Sequence, residues 1–485
     1  MKELFLNDFK LAIPELFLIS ISIFLLVYGV IYSTSDFKGY PILSSNISRL
    51  ALVTLCFSII LVMNHPIEEA VFFSQSLILD DFSSFLKVLI LICSFTSILI
   101  SLDYLKEEKL NSFEPIILIL ISTGSMLLMV SSYDFLSMYL GIELQSLCFY
   151  VLAACKRDSE FSTEAGIKYF LLGAFSSGLL LFGCSLIYGF TGLIHFEELA
   201  KVFSGIEHTN AIKLGILFLA VGFLFKLTAV PFHMWAPDVY EGAPNSITAF
   251  FLITPKIAIL GLFVRLFLYS FYDFLFSWQV ILLISSIASM ILACFAAMAQ
   301  KKIKRLLVYS AIGHVGYMLL AFSCGNLKGI QALFLYLVIY LIMTINMFAS
   351  ILSLRHVKYI GDLHQLVRTN PLLSITMGVN LFSIAGIPPL AGFCSKFYLF
   401  FAALSSSLYL GALVGVLTSV ISCFYYIRLI KIIYFESPKT WIYYSTIDKE
   451  KSLILAITSF FILFFFSYPS PLFIFTHKIA LAFII

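Results

Sequence analysis

Charge is what this chain of 485 residues most lacks: Asp, Glu, Lys and Arg make up only 12% of it, where a soluble globular protein carries about 25%. With 61% hydrophobic residues, no water-soluble fold could hide so much apolar surface. Cysteine occurs nine times but always singly, and the missing C-x-x-C pair excludes zinc-site and thiol-redox spacings as well as iron–sulfur ligation. Cys56, Cys148, Cys294 and Cys394 read instead as small core residues. No G-x-G-x-x-G string marks a strand-to-helix turn, so nicotinamide or flavin binding within this chain is not expected. No basic cluster is interleaved with aromatics, so nucleic acid is not a partner. The short alternating strands of an outer-membrane barrel are missing as well.

The first residues, Met1 to Pro14, carry Lys2, Glu3, Asp8 and Lys10. They lead into an apolar run too long for a signal-peptide core, without a small-residue cleavage site or the Arg- and Ser-rich character of a transit peptide. Synthesis in the compartment of insertion is the expectation.

What is present is a series of apolar runs near residues 11–31, 46–63, 82–102, 114–132, 134–155, 165–190, 211–240, 243–270, 277–300, 303–323, 328–353, 371–405, 408–434 and 451–476. A hydrocarbon core of ~30 Å demands about 20 such residues per helix. The runs therefore predict an all-α polytopic membrane protein of about fourteen transmembrane helices. Residues 1–485 form a single membrane domain, with helices 1–3 peripheral in 1–110 and a loop and last helix in 436–485. The 51 phenylalanines suit lipid-facing bulk better than a cofactor site.

Most of the 30 basic residues fall in loops after odd-numbered spans, such as Lys301, Lys302, Lys304 and Arg305. Because positive loops stay on the side of synthesis, both termini should face the outer side. Lys87, Lys168, Lys226, Lys256, Arg265 and Lys396 remain within spans. A charge at the centre of a bilayer costs at least ~2.5 kcal/mol on insertion scales, so each needs a partner, neutralisation or water.

Spans 7 and 12 are over-long and interrupted. In span 7, Pro231 follows Lys226; in span 12, Gly386, Pro388, Pro389 and Gly392 precede Lys396. Proline removes a backbone donor and clashes with the preceding turn. Carbonyls freed at membrane depth are tolerated only against protein or a water-filled cavity. Paired Gly/Pro-interrupted segments point to inverted repeats around an ion site: spans 4–8 (residues 111–270) and spans 9–13 (residues 277–435), two five-helix repeats of opposite orientation, each with one broken helix.

Glu143 of span 5 lies about 13 Å beyond Asp134, near mid-membrane, and Lys226 is its expected partner. Lys256, in Thr254-Pro255-Lys256 of span 8, lies about 18 Å past Pro244. His314 of span 10 is the side-chain type whose charge changes near neutrality. Together with Lys396 these residues can form a hydrated chain. Burial disfavours an ammonium and a nearby carboxylate restores it, so moving Glu143 toward or away from Lys226 would switch that lysine between holding and releasing a proton. Lys396, on the outer side of its break, is the expected exit residue.

Plainer readings stand beside these. Lys87 and Arg265 read as snorkelling anchors. Lys168 is either an anchor or a partner of Glu143 or Glu164. His233 reads as a hydrogen-bonded core histidine, and Asp238 and Glu241 as ties for the loop after span 7. The Glu143, Lys226 and Lys396 set could be ion pairs that only fix packing.

The strings ELQSLCFYVLAA (Glu143 to Ala154), STEAGIKYFLLGAFSSG (Ser162 to Gly178), FKLTAVPFHMWAPDVYEGAP (Phe225 to Pro244), KRLLVYSAIGHVGY (Lys304 to Tyr317) and AGIPPLAGFCSKFYLF (Ala385 to Phe400) resemble the antiporter-like membrane-arm subunits of NADH:ubiquinone oxidoreductase, respiratory complex I, in the subunit-2 branch. The resemblance implies a subunit without a redox centre that moves protons in response to quinone reduction elsewhere in the complex. It carries the family's proton-translocating glutamate onto Glu143 and its lysines onto Lys226, Lys256 and Lys396, with Lys168 and His314 at secondary positions. It implies no metal and no cofactor in this chain, with NADH, FMN, Fe–S clusters and ubiquinone in other subunits. The implied partners are neighbouring membrane-arm antiporter-like and small subunits, membrane lipids and protons. The implied setting is the mitochondrial inner membrane, or a bacterial plasma membrane. A subunit of a multi-subunit sodium/proton antiporter and a passive scaffold between subunits are the competing functions.

Overall fold

Several helices begin where a short polar side chain can satisfy the first free amides. Asp80 accepts from the Ser83 amide at 2.8 Å while Ser83 Oγ accepts from the Asp80 amide at 3.0 Å, a reciprocal box that starts the helix Asp81–Glu107. Asp134 accepts from the Ser137 amide at 2.7 Å and starts Phe135–Ala153. Asn326 accepts from the Gly329 amide at 3.0 Å and starts Leu327–Ser353. The computed structural model describes residues 8–32, 44–65, 69–108, 112–205, 210–354, 357–436 and 447–482.

Eleven helices among the described residues are long and apolar enough to cross a membrane, and the chain is a multi-pass membrane protein. They correspond to spans 1–6, 8–11 and 13. In the remaining spans the helices are short: Asn210–Lys226 and Trp235–Gly242 in span 7, Pro371–Ala385 and Ala391–Ser405 in span 12, and Lys449–Phe464 in span 14. Among the described residues the all-α expectation has one exception, a two-stranded antiparallel hairpin of Ala70–Phe72 and Leu77–Leu79. Phe72, Leu77 and Leu79 bury against Leu11 and Ala12, which gives this non-helical stretch a small apolar core of its own.

The chain divides into two compact units, one of 1–227 with 242–275 and the other of 228–241 with 276–485. In the first, Asn245–Arg265 is buried along nearly its whole length and packs on Asp81–Glu107 and Glu114–Ser131. In the second, Leu327–Ser353 holds the centre, against Ile303–Ser323, both halves of span 12 and Lys449–Phe464.

The anchor reading of Lys87 and Arg265 is overturned here. Lys87 does not snorkel: its ammonium pairs with Glu15 of span 1 at 2.5 Å, both side chains only 2% exposed. Arg265 is buried as well and donates from Nη2 to both Asp80 oxygens, at 2.8 and 2.9 Å, while lying over the Phe82 ring. A partner close in space makes burial cheaper than reaching for the interface. At Asp80, burial pushes the carboxyl up, but the Arg265 charge and the hydrogen bonds from Ser83 and Arg265 outweigh it and hold the group below its ordinary value. The Asp80 contribution to stability is therefore complete above about pH 4 and fades only as pH falls through the lowered folded value.

Removing one partner of a buried pair strands the other charge and costs about 3–5 kcal/mol. Lys87→Met is thus expected to lower the melting temperature of the assembled protein clearly, and adding Glu15→Gln to recover most of the loss. A double variant no more stable than the single one would contradict the pairing.

Candidate functional site

In the first unit, Asn210–Lys226 stops at Lys226 itself. The Leu227 amide makes the last helical bond, to Phe223 O at 2.9 Å, and Thr228 takes a left-handed conformation, φ 66°. The interruption expected at Pro231 therefore begins three residues earlier, directly after the lysine. The Lys226 ammonium is buried without a hydrogen-bond partner among the described residues. Glu143 acts on it electrostatically, yet no ion pair joins the two. The Glu143 carboxylate is half-buried and receives Ser146 Oγ at 3.4 Å.

Lys256 is buried in the middle of Asn245–Arg265, next to Pro255 within the helix. Thr254 Oγ1 donates to Phe250 O at 2.9 Å in that interrupted turn. Lys168 pairs with Glu164 at 2.7 Å, one of the partners open to it, with the lysine half-buried and the glutamate exposed.

In the second unit, Pro371–Ala385 ends at Gly386 with φ 90°, a left-handed cap that favours glycine. The next helix starts at Ala391. Lys396 reaches back across this break and donates to Ile384 O and Ala385 O, both at 3.0 Å, so the carbonyls freed by the interruption hold the amine. The same Nζ lies 5.5 Å from the Tyr317 ring centroid. His314, buried in Ile303–Ser323, shares a hydrogen bond of 2.6 Å between Nδ1 and the Tyr336 hydroxyl.

Lys396 and His314 line one cavity of about 20 Å³, room for about one water molecule. Ser310, Tyr317, Thr418, Ser422, Tyr425 and Tyr426 complete its polar wall. Sequence reasoning missed these hydroxyls. A signal existed in span 13, where Thr418, Ser422 and Tyr425 recur at helical spacing on one face.

The segment after the first break is held by charge. Arg305 contacts Asp238 at 2.5 Å and Glu241 at 2.8 Å, Lys302 pairs with Glu241, and Lys304 Nζ donates to Glu241 O at 3.4 Å. His233 keeps a buried Nδ1 without a hydrogen-bond partner among the described residues. No three His, Cys, Asp or Glu side chains gather as metal ligands among the described residues.

Interrupted helices whose ends meet buried amines, within a bundle of membrane-crossing helices, define the antiporter-like class of membrane proteins. Residues 132–422 match the family described as NADH:quinone oxidoreductase/Mrp antiporter, TM, and the chain belongs to that family. It is 60% identical to NADH-ubiquinone oxidoreductase chain 2 of Marchantia polymorpha, over 99% of each chain, and 55% identical to the protein of that name from Oenothera berteroana, over 98% of this chain and 99% of the other. Among solved structures it resembles a chain of the respiratory complex I from Thermus thermophilus with bound aureothin. That match has 26% identity and a TM-score of 0.80, and covers 95% of this chain and 98% of the other.

Proposed function

We propose that this chain is the subunit-2-type proton-translocating component of the complex I membrane arm, coupling electron transfer from NADH to ubiquinone in other subunits to proton movement through its own buried groups. The observation that carries this reading is Lys396, whose ammonium bonds to the carbonyls of a broken membrane helix and shares a water-sized cavity with His314. Lys226 repeats the theme at the other break, with the Glu143 charge acting on it. A buried amine is a proton carrier whose occupancy is set by the charges and water around it. In this reading Glu143 approaches Lys226 to hold its proton and withdraws to release it, Lys256 and His314 relay, Lys168 serves at the periphery, and Lys396 releases to the outer side.

The chain crosses the inner mitochondrial membrane about fourteen times, with both termini outward and inverted repeats at 111–270 and 277–435. Support for the crossings comes from the apolar helices, and for the compartment from the plant relatives. Other complex I subunits flank it, lipids cover the rest, and NADH, FMN, Fe–S clusters and ubiquinone bind elsewhere. A sodium/proton antiporter subunit is the second reading, since the matched family spans both kinds of protein. The two differ in their ion: the intact complex, reconstituted in vesicles, is expected to build a proton gradient from NADH and quinone in sodium-free buffer. A gradient that appears only when sodium is added would favour the antiporter.

A further inference from the structure

The side-chain oxygens Asn346 Oδ1 and Asn380 Oδ1, deep in the unit of 228–241 and 276–485, have no donor among the described residues. Both residues are fully buried. Their orientations are fixed by their neighbours. Asn380 Nδ2 donates to Met343 O at 2.9 Å, and turning the amide over would set two oxygens against each other. Asn346 Nδ2 donates to Thr458 Oγ1 at 2.9 Å. The Thr458 hydroxyl already gives its hydrogen to Ile454 O at 2.7 Å, so toward Asn346 it can only accept. Met343 and Asn346 lie about one turn apart on the same helix face, which brings the two amides into one seam. The helices Leu327–Ser353, Pro371–Ala385 and Lys449–Phe464 all pack together around it.

At membrane depth an acceptor without a protein donor persists where water supplies one. The seam is also polar in both directions from these amides. Toward the break, Ser383 Oγ accepts from the Gly392 amide at 3.1 Å, and the next two carbonyls, of Ile384 and Ala385, hold Lys396 Nζ. In the other direction lie the buried Ser350 and Ser353. Beyond them Lys451, on the buried face of its helix with Thr458, pairs with Asp448 at 3.1 Å.

We propose that Asn346 and Asn380 hold ordered water in this seam, and that the water carries protons between Lys396 and the helix end at Lys451, a branch separate from the cavity shared by Lys396 and His314. The amide oxygens accept hydrogen bonds and keep no proton; each proton passes from one water to the next. The inference rests on the translocation reading above.

The direct test is an electron cryomicroscopy map of the intact complex at a resolution that shows water. Density within hydrogen-bond distance of both Asn346 Oδ1 and Asn380 Oδ1 is expected, and a dry seam overturns the proposal. The functional test is protons moved per electron by the assembled complex carrying Asn346→Leu or Asn380→Leu. Each is expected to lower the ratio at least twofold, with Asn380→Ser, which leaves an acceptor and room for water, close to the original. Unchanged pumping in both leucine variants, with pumping lowered by Lys396→Ala, overturns the seam and leaves the translocation reading standing. Unchanged pumping in Lys396→Ala as well overturns both. Where a leucine variant does not assemble, the water density decides.

Discussion

Replacing Lys396 with alanine is expected to slow proton transfer through its unit on the order of 100-fold, the lower end of what a positioned acid–base group contributes. The quinone-coupled turnover of the complex should fall with it. In the proposed reading two effects are lost together: the amine that takes and gives the proton, and the donor that occupies Ile384 O and Ala385 O. Arginine separates them. A guanidinium is a donor that never deprotonates, so Lys396→Arg satisfies the carbonyls but cannot release a proton. The account expects Lys396→Arg to assemble better than the alanine variant and to pump as poorly. Full pumping by the arginine variant would reduce Lys396 to a cap on the break.

The second large effect is expected at Gly392. A Cβ there would stand 1.9 Å from the Ser383 carbonyl oxygen, well inside any contact that side-chain adjustment can relieve. The two halves of span 12 meet at this point, where the Gly392 amide also donates to Ser383 Oγ. Gly392→Ala must therefore push the half-helices apart, at a cost of about 3 kcal/mol, the upper part of the range for overpacking. It should lower the yield of assembled complex and its melting temperature. Thermal unfolding of the purified complex reads this directly, and an alanine variant as stable as the original would mean that the helices do not approach so closely. Gly178, which has open space at its Cβ position, is the control: alanine there should change little.

Which features were legible in the sequence follows from the range over which each is encoded. Both helix breaks were, because Pro231 and the Gly386–Pro389 stretch act on their own backbone. The start of the first break was misplaced, because the left-handed turn at Thr228 ends the helix before the proline does. The hairpin at 70–79 lay outside a reading built on long apolar runs. Lys87 and Arg265 were misread because their partners are far away in the chain: Arg265 meets Asp80 across 185 residues, and nothing local distinguishes a paired cation from one that snorkels. Glu143 and Lys226 are expected as partners, and in the structure the Glu143 charge acts on the lysine without an ion pair between them. The tyrosines around Lys396 were hidden by their number, 25 in the chain, and only packing selects the few that wall the cavity.

The lack of an ion pair between Glu143 and Lys226 bears on the central claim, because in the proposed reading the lysine proton is held or released as that charge moves. The most direct measurement is the number of protons translocated per electron by the whole complex in sealed vesicles, with Lys226→Ala compared with the original chain at matched rates of quinone reduction. The account predicts a lower ratio in the variant. An unchanged ratio would contradict it and leave the chain as a scaffold.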